Sequence, residues 1–251
     1  MNPPKTSIIP RIISASLVGA LTLFSSVAQS ATITWGAAQQ ISGAGDVSTN
    51  GTLVGAYNVG GTGVPSTTVN GVTFQSFSTN NGNGSSGNFT TVGSGFIGQT
   101  NTGHGSANAP FSTLPAAYQT LLQSASVPFG GAITLTISGL IAGMQYQFQW
   151  WANDSSTEFG RTTATAGNSV GLNHNTGSEG GLGEWVIGSF TADAATQSIT
   201  FEGDGDFGSV NAFQLRLIAP PTTGVPETGS SIALLGLAMS GMAFARRKLR
   251  A

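Results

Sequence analysis

The sequence predicts an all-β fold, an antiparallel β-sandwich carrying one short helix. Three observations lead there. Between the termini the chain is rich in Gly, Thr, Ser and Asn. Its apolar residues alternate over short runs separated by Gly-rich turns, as half-buried strands require. Helical periodicity is confined to a single stretch, and about 190 residues without a cysteine suffice for one ordinary core.

The strands are expected at 32–35, 71–77, 132–137, 145–152, 184–190, 197–201 and 211–218. In 132–137, Ile133, Leu135 and Ile137 face the core while Thr134 and Thr136 face out. The following Ser138-Gly139-Leu140-Ile141-Ala142-Gly143 reads as a turn into the next strand. The Gly/Asn/Ser stretch 79–87 reads as a mobile loop. One helix is expected where Ser112 or Thr113 caps, Pro115 enters the first turn, and Leu114, Tyr118, Leu121 and Leu122 follow helical spacing. It is expected across one end of the sandwich.

Strand 145–152 carries the first candidate site. Period two puts Tyr146, Phe148, Trp150 and Ala152 on a core face and Gln145, Gln147, Gln149 and Trp151 on the other. Amides beside one large aromatic ring suit a sugar, whose C–H faces stack while its hydroxyls bond to amides. The alternative is that Trp151 fills a gap beneath a loop or helix. Asp154, Glu158 and Arg161 follow in the next loop, either as ligand contacts or as an Asp154–Arg161 pair that fixes the loop. Glu202, Asp204 and Asp206, spaced by glycines, could turn hard oxygens toward a structural calcium ion, or form a solvated acidic turn.

Other patterns lack context. Gly82-Asn83-Gly84-Ser85-Ser86-Gly87 satisfies GxGxxG, but no helix signal follows it. His104 and His174, the two histidines, sit in Gly/Asn-rich loops with no nucleophile beside them in sequence. Asp154, Glu179, Glu184 and Glu202 form a glycosidase pair only if two of them meet in space. The reading is therefore non-catalytic. Among the basic residues, Lys5, Arg11, Arg246, Arg247, Lys248 and Arg250 are terminal, leaving Arg161 and Arg216 in an acidic domain. That balance argues against nucleic acid as a partner.

The termini read as addresses. Lys5 and Arg11 precede an apolar stretch from Ile12 to Val27. Small residues at Ala28 and Ser30 then offer signal-peptidase cleavage after Ser30 or just after Ala28. At the other end stand Val225, Pro226, Glu227, Thr228 and Gly229, then the apolar run 230–245 and the basic tail 246–251. At 1.5 Å per residue, a helix over 231–245 reaches about 22 Å, short of the ~30 Å hydrocarbon core. The basic tail stays cytoplasmic and places the rest across the membrane.

This arrangement resembles the PEP-CTERM sorting signal, which an exosortase recognises in Gram-negative bacteria that make extracellular polysaccharide. Pro226-Glu227-Thr228 replaces the usual Pro-Glu-Pro and is closer to VPDSG-type variants; the same residues are also similar to the LPXTG signal of sortases. The resemblance implies transient inner-membrane insertion and delivery to the cell surface or beyond. From 132 to 217 the chain also resembles galactose-binding-like jelly-roll modules. That likeness rests on Ile133 to Leu140, on Tyr146-Gln147-Phe148-Gln149-Trp150-Trp151-Ala152-Asn153-Asp154, and on Val210-Asn211-Ala212-Phe213-Gln214-Leu215-Arg216 as a closing strand. It covers under half of the mature chain and implies a jelly-roll-like fold; with the termini, the expected division is a signal peptide at 1–30, a sandwich domain at 31–219 and a linker with sorting motif at 220–229.

Three functions are therefore weighed. The first is a structural or interaction protein of the cell envelope or matrix. The second is a module that binds extracellular polysaccharide, and the third is a glycoside hydrolase.

Overall fold

The computed structural model describes residues 30–93, 96–99, 103–128, 130–156, 160–175, 177–205 and 207–218. The expected signal peptide, sorting motif, membrane helix and basic tail lie outside these residues, as do Glu158 and Asp206. Among the described residues no helix is long and apolar enough to cross a membrane.

The fold is an all-β sandwich of two main sheets with one α-helix. Its first half contains β1 (Thr34–Trp35), β2 (Gln39–Gln40), β3 (Thr52–Gly60), β4 (Thr67–Val69), β5 (Val72–Ser78), β6 (Gly84–Ser86), β7 (Phe89–Gly93) and β8 (Phe96–Gln99). Helix α1 (Ala116–Leu122) precedes β9 (Ala125–Pro128) and β10 (Ala132–Ile137). The second half contains β11 (Gln145–Ala152), β12 (Arg161–Ala166), β13 (Asn168–Asn173), β14 (Glu184–Thr191), β15 (Gln197–Gly203) and β16 (Ala212–Ile218).

The larger sheet runs β1-β14-β11-β16-β3-β5-β4, with β2 also on β14; the smaller runs β13-β12-β15-β10-β7-β6. From β10 onward the chain passes back and forth between the sheets, and its pairings there are antiparallel. One pair departs from the antiparallel expectation: β3 and β5 are parallel. They can be parallel because the chain returns through β4, an edge strand turned onto β5 by Asn70 and Gly71, both at positive φ. The stretch 79–87 is also more ordered than a mobile loop. Asn81 and Gly82, again at positive φ, close a tight turn, and Gly84–Ser86 pairs with β7.

Alternation builds the main core between the sheets. Tyr146, Phe148, Trp150 and Ala152 face Ile133, Leu135, Ile137, Ile199 and Phe201, and Phe213 joins a ring cluster with Tyr57, Phe77 and Phe89. The outward threonines of β10 are half-buried, as the period predicts. A second core lies on the outer face of the larger sheet, where Trp151, Ala212, Ala56 and Phe74 meet Tyr118, Leu121 and Leu122 of α1. The molecule thus has three layers there, and α1 covers a sheet face rather than simply closing an end. Neither Ser112 nor Thr113 caps the helix: Pro115 holds the N-cap position, and Thr113 Oγ1 instead donates to Pro110 O at 2.6 Å within a preceding 3₁₀ turn.

Candidate functional site

The outer face of β11 is where the sequence placed a sugar platform, and the structure corrects that placement. Trp151 is 0% exposed, beneath α1, with Phe74 edge-on at 5.7 Å between ring centroids. Its indole Nε1 donates to Tyr118 Oη at 3.0 Å, and Tyr118 Oη donates to Asp46 Oδ2 at 2.9 Å. Asp46 also accepts from Ser42 N, Ser42 Oγ and Gly43 N, so the carboxylate organises the strap 41–51. Burial first, and then the Asp46 charge, push the Tyr118 hydroxyl pKa well above its ordinary value. The reading in which Trp151 fills a gap beneath a helix is therefore the one realised.

The amides beside it serve the same strap. Gln149 Nε2 donates to Asp46 O, and its Oε1 accepts from Ser48 N and Gln214 Nε2. Arg216, directly across from Gln147 in the register, donates to Thr49 O, Asn50 O and Gly51 O as well as Gln214 Oε1. A guanidinium can be buried here without a carboxylate because carbonyl dipoles surround it. Desolvation lowers its pKa from the usual value. Gln147 Oε1 is buried with no hydrogen-bond partner, in a narrow recess beside Ile187 and Arg216.

The polar residues that remain gather at one end of the sandwich, where β11 ends and β14 and β16 begin. Asp154 does not pair with Arg161. It is 5% exposed and its Oδ2 lies 2.9 Å from His104 Nδ1, while Oδ1 accepts from Ser156 N and Oγ. Burial pushes the Asp154 pKa up, but the hydrogen bond and charge of His104, with the Ser156 bonds, outweigh it and hold the pKa below its ordinary value. An ionised carboxylate only accepts, so His104 Nδ1 is the donor of this bond. His104 Nε2 is buried without a partner.

Three other side chains tie this end together. Asn211 Nδ2 donates to Leu122 O, Ser124 O and Asn153 O, while Asn153 Oδ1 accepts from Gly183 N. Leu122 O belongs to the last turn of α1, so these amides anchor the helix end as well as the loops. His174 is 2% exposed with Nε2 at 2.6 Å from Thr162 Oγ1, and desolvation lowers its pKa to about 4. Sequence had placed Asp154 and both histidines in loops; it had not brought them together, since they are far apart along the chain.

Arg161 is exposed and donates to Gly171 O. Glu202 is exposed, opposite Thr163 and Ala132, whereas Asp204 sits in the turn beyond and donates its N–H to Arg161 O. Among the described residues no group of three His, Cys, Asp or Glu could hold a metal ion. Of the carboxylates weighed for hydrolysis, Asp154 is committed to His104, Glu184 accepts from Asn173 N at 2.7 Å, and Glu179 is exposed.

A hollow at this end lies between α1 and the loop after His104. It holds about 300 Å³ and is lined by Gly105, Ser106, Ala107, Phe111, Gln119 and Gln123. Gln119 and Gln123 stand one helical turn apart and so share a face. Gln119 Nε2 is tied to Ser112 O and Leu114 O, whereas Ser106 Oγ accepts only from Asn108 N and keeps a proton to donate. The lining is uncharged, with one aromatic edge.

Fold and site define a two-sheet β-sandwich with a polar loop end and an uncharged hollow. No protein-family model matches the chain. No curated protein matches it. Two solved structures are similar in part. One is the enzymatically active domain of tailspike protein 4 from bacteriophage CBA120, at 18% identity and TM-score 0.29, covering 52% of this chain and 19% of that one. The other is from a study of promiscuous specificity in carbohydrate-binding modules of the β-sandwich superfamily. It has 11% identity and TM-score 0.16, and covers 56% of this chain and 66% of that one. The chain thus spans less than two thirds of either, and at these scores neither likeness carries an argument.

Proposed function

We propose that the chain is an exported, non-catalytic interaction module of the cell envelope or extracellular matrix, and that it contacts extracellular polysaccharide through the hollow beside α1. The observation that carries this reading is the lining of that hollow: Ser106, Gln119 and Gln123 offer uncharged donors and acceptors beside Phe111. Such a lining suits a neutral, hydroxyl-rich ligand better than an anion or a cation. Its position supports the reading too. The last described residue, Ile218, pairs with Gln145 at the opposite end of the sandwich, so the described chain ends away from the hollow. An exosortase acting at Val225–Gly229 then frees the module from a C-terminal tether.

The test is calorimetric titration of the exported protein with neutral oligosaccharides, beside a Gln123→Ala variant. Loss of one amide contact is expected to weaken binding by up to about tenfold, the equivalent of ~1.4 kcal/mol. Equal affinity in the variant removes the hollow as the site, and no binding of any neutral glycan removes the polysaccharide reading.

A further inference from the structure

Among the described residues Asp154 does not line the hollow, yet the hydrogen bonds of its carboxylate and of its chain neighbours run to both walls of it. From that arrangement we infer that Asp154 is the positioning residue of the hollow. Acting through His104, it holds the loop 105–107 against α1 and so sets how Ser106 and Gln123 face a ligand together. The inference rests on the polysaccharide reading above and adds to it the side chain that shapes the site.

One wall is Gly105, Ser106 and Ala107, and the other is Phe111 with Gln119 and Gln123. The walls meet at Gly105, where an added Cβ would stand 3.2 Å from both Gln123 Cβ and Phe111 Cε1. His104 is the root of the first wall. Its N–H donates to Gln123 O at 3.2 Å, and its carbonyl accepts from Ser155 N at 2.9 Å and Asn153 Nδ2 at 3.2 Å. The second wall is tied to the same short segment. Phe111 N donates to Gly180 O at 2.9 Å, and Gly180 N donates to Ser155 O at 2.8 Å. Residues 153–155 therefore hold both walls.

Within that junction Asp154 is braced from the sheet. Its N–H donates to His174 O at 2.8 Å and its carbonyl accepts from Asn175 Nδ2 at 3.1 Å, just beyond the end of β13. The carboxylate in turn holds the ring. His104 Nε2 is buried without a partner, so the 2.9 Å bond between Nδ1 and Asp154 Oδ2 is the one that fixes the imidazole. Both residues are 5% exposed, and a charge-assisted bond shielded from water is a strong one. Truncating Asp154 leaves the imidazole N–H unpaired in a buried site and unties the root of the loop. Asparagine keeps an acceptor oxygen for Nδ1.

The experiment combines amide hydrogen exchange with calorimetric titration by neutral oligosaccharides, on the wild type, Asp154→Ala and Asp154→Asn. Alanine is expected to speed exchange at the His104 and Phe111 amides about tenfold or more while leaving β10 unchanged, and to weaken binding about tenfold. Asparagine is expected to restore both to within about threefold of wild type. Wild-type exchange at His104 in the alanine variant overturns the inference. Faster exchange spread over both sheets overturns it too, since Asp154 then supports the fold as a whole. Local loosening with unchanged affinity overturns it as well and leaves the polysaccharide reading to the Gln123→Ala test. Absence of binding in the wild type overturns that reading instead, and exchange then decides alone whether Asp154 sets the wall.

Discussion

Replacing Tyr118 by Phe keeps the ring in the second core and deletes a single oxygen, the one that joins sheet, helix and strap. That oxygen accepts from Trp151 Nε1 and donates to Asp46 Oδ2. A hydrogen bond to a charged acceptor contributes about 1.5–3 kcal/mol, and a buried donor left unpaired costs about 1–3 kcal/mol. Trp151 is 0% exposed, so water cannot replace the acceptor. Asp46 retains three other donors, which places its share at the low end. The expected loss is about 3 kcal/mol, or a Tm lower by about 6–12 °C at ~2–4 °C per kcal/mol. Urea unfolding with an unchanged m-value measures it. Tyr57→Phe is the control, since its hydroxyl makes one 3.2 Å bond to Ser86 O. A Tyr118→Phe loss no larger than the control's would refute the lock.

Two further outcomes test the polar burial. His174 binds fewer protons folded than unfolded between its lowered pKa of about 4 and the ordinary 6.5, so its contribution is complete above about pH 6.5 and disappears as pH falls toward 4. At 1.36 kcal/mol per unit that contribution is about 3 kcal/mol. Chemical denaturation across this window should show the decline and His174→Gln should flatten it; a flat wild-type profile contradicts the assignment. Asp154, held below its ordinary value, adds a further loss at the acidic end. Arg216→Ala removes the donors to Thr49 O, Asn50 O and Gly51 O. A destabilisation of about 2–4 kcal/mol is expected, with faster proteolysis within 41–51, and a strap cut at the wild-type rate would show that Arg216 does not pin it.

The strands were legible because a half-buried strand repeats with period two, and that repeat is local. Ala132–Ile137 and Gln145–Ala152 fall at their expected bounds, and Tyr146, Phe148, Trp150 and Ala152 face the core as read. The same period assigned Trp151 and Gln149 to the outer face of the sheet but could not show that this face is covered. What covers it is α1 and the strap 41–51, segments remote in sequence. Asp46 and Tyr118 carried no joint signal either, since they lie 72 residues apart.

Sequence alone determined the class of fold, the acidic and cysteine-free character of the domain, and the pattern of its termini, since composition and short-range periodicity carry these. Tertiary structure alone decided which polar groups are free to act. It committed Trp151, Gln149, Asp154 and Arg216 to internal partners and left Gln123 and Ser106 beside a hollow. The reason is physical: whether a side chain meets solvent or a distant segment depends on long-range packing, and no local pattern encodes it.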